Sequence, residues 1–312
     1  MKTGRMAKRF AAIAAACLLA SCFALAAFAQ GSLDLSGKAS LSVRFGKGDK
    51  GFSDVEFSIY QVAGATASGT YSLIGDFQQY PVSLEDLDSS GLRALAQTLD
   101  TYVMRDKIEP TQIGATSSSG TVSFTGLPVG LYLVLGEQYV EGETVYTPGS
   151  LLVYLPKWES GSWNYNVSVT CKYDKGEWPG EPTEIKVQKV WKDSGNEKRR
   201  PELILAQLLK NGEIVDTVSL SKENNWEYTW KDLDSGAQWR VAEAQVPTGY
   251  TAAVEREGDV FILTNTYPPK TPTKLPQTGM LWWPVVLLAV GGAVLLSAGL
   301  VLGRNRRNDH EK

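Results

Sequence analysis

Histidine is almost absent from this chain of 312 residues, in which His310 is the only example. Catalysis by a histidine base and metal sites built from several histidines are therefore excluded from the rest of the sequence. Cysteine is also scarce, with only Cys17, Cys22 and Cys171. The 31 Lys and Arg residues nearly balance the 34 Asp and Glu residues, and no basic run precedes the C-terminal tail. We therefore expect no nucleic-acid partner.

The N-terminal segment has the three parts of a secretory signal peptide. A basic start is followed by an apolar stretch over residues 11–28 and by the cleavage pattern Ala27-Phe28-Ala29. We predict a signal peptide over residues 1–29 and a mature chain that begins at Gln30.

A second interpretation of the same segment is a lipobox, Leu19-Ala20-Ser21-Cys22, in which Cys22 would carry a lipid. The residues after Cys22 stay apolar, which favours a continuing signal peptide. Once the signal is removed, Cys171 is the one remaining thiol, so an intrachain disulfide is excluded.

The C-terminal segment combines three features in an informative order. The pentapeptide Leu275-Pro276-Gln277-Thr278-Gly279 is followed by an apolar run over residues 280–302 and then by a basic tail. The run can cross a hydrocarbon core of about 30 Å as a helix, and the tail would stay in the cytoplasm. A plain single-pass anchor with a chance LPQTG is one interpretation.

This order resembles the cell-wall sorting signal of Gram-positive surface proteins, the substrate of sortase. The resemblance implies that a sortase cleaves after Thr278 and passes the chain to an amine of a peptidoglycan precursor. The protein would then span the membrane before sorting and end on the extracellular face, in the cell wall.

Two β-rich domains are predicted between these segments, over residues 30–175 and 183–267. Gly and Pro residues in the stretch from Asp174 to Pro182 break regular structure and mark the joint. A Pro-rich spacer over residues 268–274 precedes the sorting signal, which covers residues 275–312.

Strict alternation predicts the strands of the second domain. One face of its first strand holds Ile185, Val187, Lys189 and Trp191. Later strands are predicted at 203–209, 214–220, 226–230, 239–243 and 260–267, with a hairpin turn at Asn211-Gly212. Lys189 and Glu243 would both face inward, which is costly unless such groups are paired or have reacted. Short strands at this spacing predict a β-sandwich.

An ordered set of motifs in this domain resembles the Cna B-type domain of Gram-positive surface proteins and pilins. The motifs are Val187-x-Lys189-x-Trp191-x-Asp193, Arg200-Pro201, Asn211-Gly212, Asn225-Trp226, Glu243 with Pro247-x-Gly249-Tyr250, and Thr264-Asn265-Thr266. That family has an immunoglobulin-like fold and often carries a self-formed Lys–Asn isopeptide bond. The resemblance implies that Lys189 supplies the amine, Asn265 the amide and Glu243 the catalytic carboxyl. A buried Lys–Glu ion pair with Asn265 as a spectator is the alternative.

The first domain is predicted to contain strands around Leu41 to Phe45 and Val55 to Ile59, then an amphipathic helix over about 84–103, then further strands. Those later strands are placed at 120–124, 130–135 and 151–155. The run Gly130-Leu131-Tyr132-Leu133-Val134, with Glu137 after it, resembles the N-terminal domain of Gram-positive pilin subunits. No lysine faces inward on the first strand, so we predict no isopeptide bond here, and Glu137 would occupy the catalyst's place with nothing to catalyse.

The end of the first domain resembles the pilin motif W-x-x-x-V-x-V-Y-P-K, in which sortase joins the lysine to the threonine of the next subunit. Here the motif reads Trp163-x-x-x-Val167-x-Val169-Thr170-Cys171-Lys172, with Thr and Cys in place of Tyr and Pro. The resemblance implies that Lys172 is an acceptor, and alternation predicts that it faces solvent while Cys171 lies in the core. An ordinary surface lysine is the alternative.

These expectations combine into an all-β protein with two immunoglobulin-like β-sandwiches in tandem, the first with a helical insertion. We expect a cell-wall-anchored structural protein of the minor or basal pilin type, not an enzyme, with no cofactor and no metal. Its expected partners are sortase, a peptidoglycan precursor, other pilin subunits and a host surface ligand. The alternative function is a monomeric wall-anchored adhesin that binds a host ligand.

Overall fold

The computed structural model describes residues 33–66, 70–85, 87–177 and 180–267, which belong to one compact unit. The predicted signal peptide, spacer and sorting signal lie outside these residues. In the described ranges, no helix combines the length and the hydropathy needed to cross a bilayer.

The first domain is a β-sandwich with one α-helix, α1 (Ser89–Asp106). Its strands are β1 (Ala39–Arg44), β2 (Gly46–Lys47), β3 (Lys50–Gly51), β4 (Glu56–Ala65), β5 (Tyr71–Leu73), β6 (Gln112–Ala115), β7 (Thr121–Leu127), β8 (Gly130–Gly136), β9 (Tyr139–Glu141), β10 (Thr144–Pro148), β11 (Leu151–Leu155), β12 (Lys157–Glu159), β13 (Ser162–Asn164), β14 (Asn166–Thr170) and β15 (Tyr173–Glu177). The central sheet has the order β11-β8-β4-β5, with β6 also paired to β4, and it faces the sheet β14-β1-β7.

Strand β8 is buried on both faces because the central sheet lies between two layers. Its side chains alternate, so Tyr132 and Val134 join the core shared with β1, to which Leu41 and Val43 contribute as predicted. Leu131, Leu133 and Leu135 point the other way and form a second core with the apolar face of α1.

Helix α1 covers the outer face of the central sheet. It begins later than predicted because Asp88 is its N-cap, with a carboxylate oxygen that accepts a hydrogen bond from the amide of Gly91. It ends at Lys107, which adopts a left-handed conformation at φ 54°. The helix therefore adds a third layer to the first domain.

The second domain is a seven-stranded sandwich in the described residues. Its strands are β16 (Thr183–Lys192), β17 (Leu203–Lys210), β18 (Glu213–Ser221), β19 (Glu227–Leu233), β20 (Trp239–Glu243), β21 (Thr251–Glu257) and β22 (Val260–Thr266). They form two sheets, β19-β16-β22-β21 and β18-β17-β20. The predicted all-β class and tandem sandwiches are confirmed, and so is the turn at Asn211-Gly212, where φ is 49° and 84°.

The structure contains strands that the sequence patterns did not predict, among them β5, β6, β9, β10, β12 and β13. Two further differences have a clear physical cause. Strand β21 was not predicted, because only Ala252 and Val254 alternate as buried apolar residues in a polar stretch. Residues Asp174 to Glu177, expected to be irregular, belong to β15, which pairs with β10. Gly176 suits this strand, since a Cβ atom there would lie 3.0 Å from Val145 Cγ1.

Candidate crosslinking site

The structure brings Lys189, Glu243 and Asn265 together in the core of the second sandwich. Strands β16 and β22 are neighbours in one sheet and run parallel, with Lys189 opposite Leu263 and Trp191 opposite Asn265. Lys189 and Asn265 both point inward. Glu243 ends β20 in the opposite sheet and reaches them across the interior.

The three polar groups are almost completely removed from solvent. The side chains of Lys189 and Glu243 are 0% and 2% exposed, and Asn265 is 0% exposed. Lys189 Nζ lies 3.7 Å from Glu243 Oε2, and Asn265 Nδ2 donates a hydrogen bond of 3.0 Å to Glu243 Oε1. The carboxyl group therefore bridges the amine and the amide.

The amine of Lys189 is held in a fixed direction. Nζ donates to the main-chain oxygens of Leu263 at 3.2 Å and Val190 at 3.3 Å. It also lies 4.3 Å from the centre of the Trp191 ring. Two carbonyl oxygens and an aromatic face thus confine the amine next to the strand that carries Asn265.

Burial shifts the pKa values of both ionisable groups toward their neutral forms. Removal from water lowers the pKa of Lys189, and the nearby carboxylate of Glu243 only partly opposes this effect. Removal from water likewise raises the pKa of Glu243 despite the amine beside it. A neutral amine and a protonated carboxyl are the forms that a nucleophile and a general acid require.

Two oxygen atoms of the site are buried without a hydrogen-bond partner among the described residues, Glu243 Oε2 and Asn265 Oδ1. Rotating the Asn265 carboxamide by half a turn would place its oxygen against Glu243 Oε1. A protonated Glu243 could then donate to that carbonyl oxygen, which makes the amide carbon more electrophilic. The site thus contains a nucleophile, an acid and an electrophile.

Other motif residues close the end of this sandwich. Asp193, just beyond β16, accepts hydrogen bonds from Arg200 at 2.6 and 2.8 Å and from the hydroxyl of Tyr250 at 2.9 Å. Trp191 packs edge-on against Tyr250 and Trp226. These contacts shield Lys189 from solvent.

In the described part of the chain, no cluster of His, Cys, Asp or Glu side chains could hold a metal ion.

In the first sandwich, as in the second, the first strand pairs in parallel with a later strand, but β1 has no inward lysine that could form an isopeptide bond. Strand β1 runs parallel to β14, but its inward residues are Ala39, Leu41 and Val43. Lys38 is exposed, and so is Glu137. The expectation that Glu137 occupies a catalyst's place is therefore wrong, because the residue lies beyond the end of β8 and faces solvent.

The residues of the pilin-like motif lie in the β12–β13 hairpin and in strand β14 with the residues that follow it. Trp163 lies in the β12–β13 hairpin and stacks edge-on against Trp158 at 5.0 Å. Val167 is buried on β14. Lys172 follows that strand and is exposed as predicted, whereas Cys171 is buried. Its burial raises the pKa of the thiol to about 12.

Comparison with known proteins identifies the second sandwich as similar to a characterised domain. Residues 185–266 match the family described as Cna protein B-type domain. Over 105 residues the chain is 35% identical to a collagen adhesin of Staphylococcus aureus, an alignment that covers 33% of this chain and 8% of the adhesin. The chain therefore spans only a small part of that relative.

Solved structures of surface proteins are also similar. A single B repeat unit of the collagen-binding protein of Staphylococcus aureus is 18% identical, with 75% of this chain and 99% of the repeat covered at a TM-score of 0.27. The major pilin SpaD of Corynebacterium diphtheriae is 15% identical, with coverages of 75% and 65% and a TM-score of 0.29. The minor pilin GBS52 of Streptococcus agalactiae is 16% identical, with coverages of 77% and 99% and a TM-score of 0.25.

Proposed function

We propose that the protein is a cell-wall-anchored structural protein, a minor or basal pilin subunit, whose second sandwich closes an isopeptide bond between Lys189 and Asn265. The observation that carries this proposal is the buried Lys189–Glu243–Asn265 constellation between the first and last strands of that sandwich. The match of residues 185–266 to the Cna B-type family supports it.

The reaction needs no group from outside the chain. Neutral Lys189 Nζ attacks Asn265 Cγ while protonated Glu243 donates to Asn265 Oδ1. Glu243, now a carboxylate, takes one proton from the attacking amine and passes it to Asn265 Nδ2. The Cγ–Nδ2 bond then breaks, ammonia leaves, and the proton on Oδ1 returns to Glu243 as the carbonyl re-forms. The fixed geometry of three buried side chains replaces an encounter between separate molecules, which accounts for reaction without a separate enzyme.

The position of the bond suits a protein that bears tension. Because β16 and β22 are parallel, the chain enters and leaves the sandwich at opposite ends, and pulling would shear the two strands against each other. A bond from Lys189 to Asn265 closes the intervening chain into a loop. Force would then pass through the covalent bond while the loop remains folded.

The proposed export and anchoring are based on the sequence patterns of the N-terminal and C-terminal segments. We propose that residues 1–29 direct secretion, that residues 275–312 are the sorting signal, and that sortase joins Thr278 to a peptidoglycan precursor. The two sandwiches form the exported body. Lys172 is the acceptor for another pilin subunit, which is supported by its exposure directly after β14.

The crosslink is tested by the intact mass of a recombinant fragment from Gln30 to Pro272. We expect a mass about 17 Da below the calculated value, because one ammonia is lost when the amide forms. The matched control is Asn265→Ala, which lacks the electrophile and should have its calculated mass. A wild-type mass equal to the calculated one would remove the isopeptide bond from the proposal.

The second candidate function, a monomeric adhesin that binds a host ligand, is favoured by the similarity to the collagen adhesin. Wall extracts of cells that express a pilin-type sortase separate the two functions. A pilin subunit should give a ladder of covalent species on a denaturing gel, and Lys172→Arg should abolish it while Lys175→Arg does not. A single band from wild-type cells would favour the adhesin.

A further inference from the structure

The open side of the second sandwich is covered by the first domain. Strands β20 and β21 are the outer strands of their two sheets on this side, and α1 packs against both of them. Alternate amides of β21, from Ala252, Val254 and Arg256, donate to Pro81 O, Thr98 Oγ1 and Gln97 Oε1. Each of these acceptors belongs to the first domain, so the first domain provides partners for three outward amides of this edge.

One contact of this interface reaches the crosslinking site directly. Arg105 Nη1, near the end of α1, donates a hydrogen bond of 3.2 Å to the main-chain oxygen of Glu243. Glu243 is the last residue of β20 and lies opposite Ala206 of β17, so the bond from Arg105 adds a contact from outside the sheet. The residue that supplies the catalytic carboxyl is thus fixed through its backbone by the neighbouring domain.

The guanidinium group of Arg105 is itself held in place. Asp106 accepts two hydrogen bonds from it, both of 2.7 Å, and the same carboxylate accepts one from the hydroxyl of Tyr80. The guanidinium carbon lies 4.7 Å from the centre of the Tyr102 ring. The Arg105 side chain is 17% exposed, so its donor is pre-oriented toward Glu243.

We propose that Arg105 is a positioning residue for the crosslinking reaction, and that the isopeptide bond forms only after α1 has docked against β20 and β21. This inference rests on the proposed function of Lys189, Glu243 and Asn265. The Glu243 carboxyl must meet the amine on one side and the amide on the other, and such reactions lose rate steeply when a reacting group is displaced by about 1 Å. The covalent bond would then mark chains in which both domains have folded and joined.

A time course in cell-free synthesis tests this dependence. The fragment from Gln30 to Pro272 is sampled at intervals after translation, and the fraction that has lost about 17 Da is measured by intact mass. Arg105→Gln should slow the loss at least tenfold. Arg105→Lys keeps a cationic donor but loses the two-bond contact to Asp106, so it should recover part of the rate. The matched control is Lys107→Gln, because Lys107 pairs with Glu213 of the second domain at 2.8 Å but lies on the surface.

A second variant separates the role of Arg105 from that of any other interface contact. Thr98→Val removes the acceptor for the Val254 amide, while α1 stays docked through its remaining contacts and Arg105 stays in place, so the crosslinking rate should stay within about twofold of the wild-type rate. If Thr98→Val and Arg105→Gln slow crosslinking equally, the particular role of Arg105 is overturned. A wild-type chain that never loses ammonia contradicts the proposed function itself, whereas equal rates for wild type and Arg105→Gln contradict only this inference.

Discussion

Trp191 on the first strand of the second sandwich lies directly opposite Asn265 on the last strand. In the same register Lys189 lies opposite Leu263, whose main-chain oxygen accepts a hydrogen bond from Lys189 Nζ. Asn265 follows two residues later, so its side chain is on the same face of the sheet as Lys189. A shift of one residue between the two strands would turn Asn265 outward and separate it from both reaction partners. The register of one parallel strand pair is therefore a precondition of the proposed chemistry.

Replacing Glu243 should prevent crosslinking and lower stability. Glu243→Ala removes the acid and leaves Lys189 buried without its partner, so the fragment should keep its calculated mass. Losing a covalent closure of the long loop from Lys189 to Asn265 should cost about 4 kcal/mol, by analogy with other chain crosslinks. Mass spectrometry and urea unfolding measure the two effects.

The matched control for this variant is Glu227→Gln, which removes a partly exposed ion pair with Lys186 on the outer face of the sheet that carries Lys189 and Asn265. It should keep the 17 Da loss of the wild type and change the free energy of unfolding by less than about 1 kcal/mol. A crosslinked Glu243→Ala fragment would show that another group acts as the catalyst.

The uncrosslinked Asn265→Ala variant should be least stable near neutral pH. Lys189 has a folded-state pKa below its ordinary 10.5, so the unfolded state binds more protons in the window below 10.5 and stability rises with pH there. Glu243 has a folded-state pKa above its ordinary 4.5, so the folded state binds more protons just above 4.5 and stability falls as pH rises there. The free energy of unfolding of this variant should therefore have a minimum between these two pH windows.

Urea unfolding of Asn265→Ala across this pH range measures the effect, with a slope of at most about 1.4 kcal/mol per pH unit for each group. The control adds Lys189→Met and Glu243→Gln to the same background and should remove the minimum, since both ionisable groups that produce it are then absent. A profile that is the same in both proteins would mean that the pair is fully charged after folding.

Thr278 should determine whether the protein reaches the cell wall. Thr278→Ala keeps the main-chain carbonyl but removes the threonine side chain of the sorting pentapeptide, so sortase should no longer recognise it. The protein should then stay with the membrane fraction and be extracted by detergent. Thr273→Ala, a few residues earlier in the spacer, is the matched control and should fractionate with peptidoglycan like the wild type. Recovery of Thr278→Ala in the peptidoglycan fraction would contradict the sorting signal.

Cys171 should be unreactive in the folded protein. The thiol is buried and its pKa is raised to about 12, so little thiolate is present at about pH 8 to attack a disulfide reagent. We expect labelling only after denaturation. Ser168→Cys, which would place a thiol at an exposed position of the adjacent strand β14, should be labelled at once in the folded protein, and equally rapid labelling of Cys171 would show that this region opens.

Sequence patterns were sufficient to predict strands in which large apolar residues alternate with polar ones. Leu41 and Val43 alternate with polar residues, and Lys189 and Glu243 stand out because each occupies an inward position. The patterns were weaker for β15 and β21, which carry few large apolar side chains. Glu137 was misplaced because alternation within β8 gives no information about where the strand stops.

The contribution of α1 to the second domain could not be predicted from sequence. Arg105 and Thr98 look like ordinary polar residues of an amphipathic helix, yet their partners are Glu243 and Val254, which are far away in the chain. Periodicity identifies the face that α1 turns toward its own sheet. It does not reveal that the opposite face meets another domain.

The hydrogen bonds from Ala252, Val254 and Arg256 to the first domain also bear on solubility. A second sandwich released alone, for example by proteolysis at the joint, would present these three amides to water along an unpaired strand. Such a strand is a template for pairing with another chain. The first domain therefore covers an edge of the kind that pairs with other chains, and we expect the second sandwich to self-associate more readily once the chain between the domains is cut.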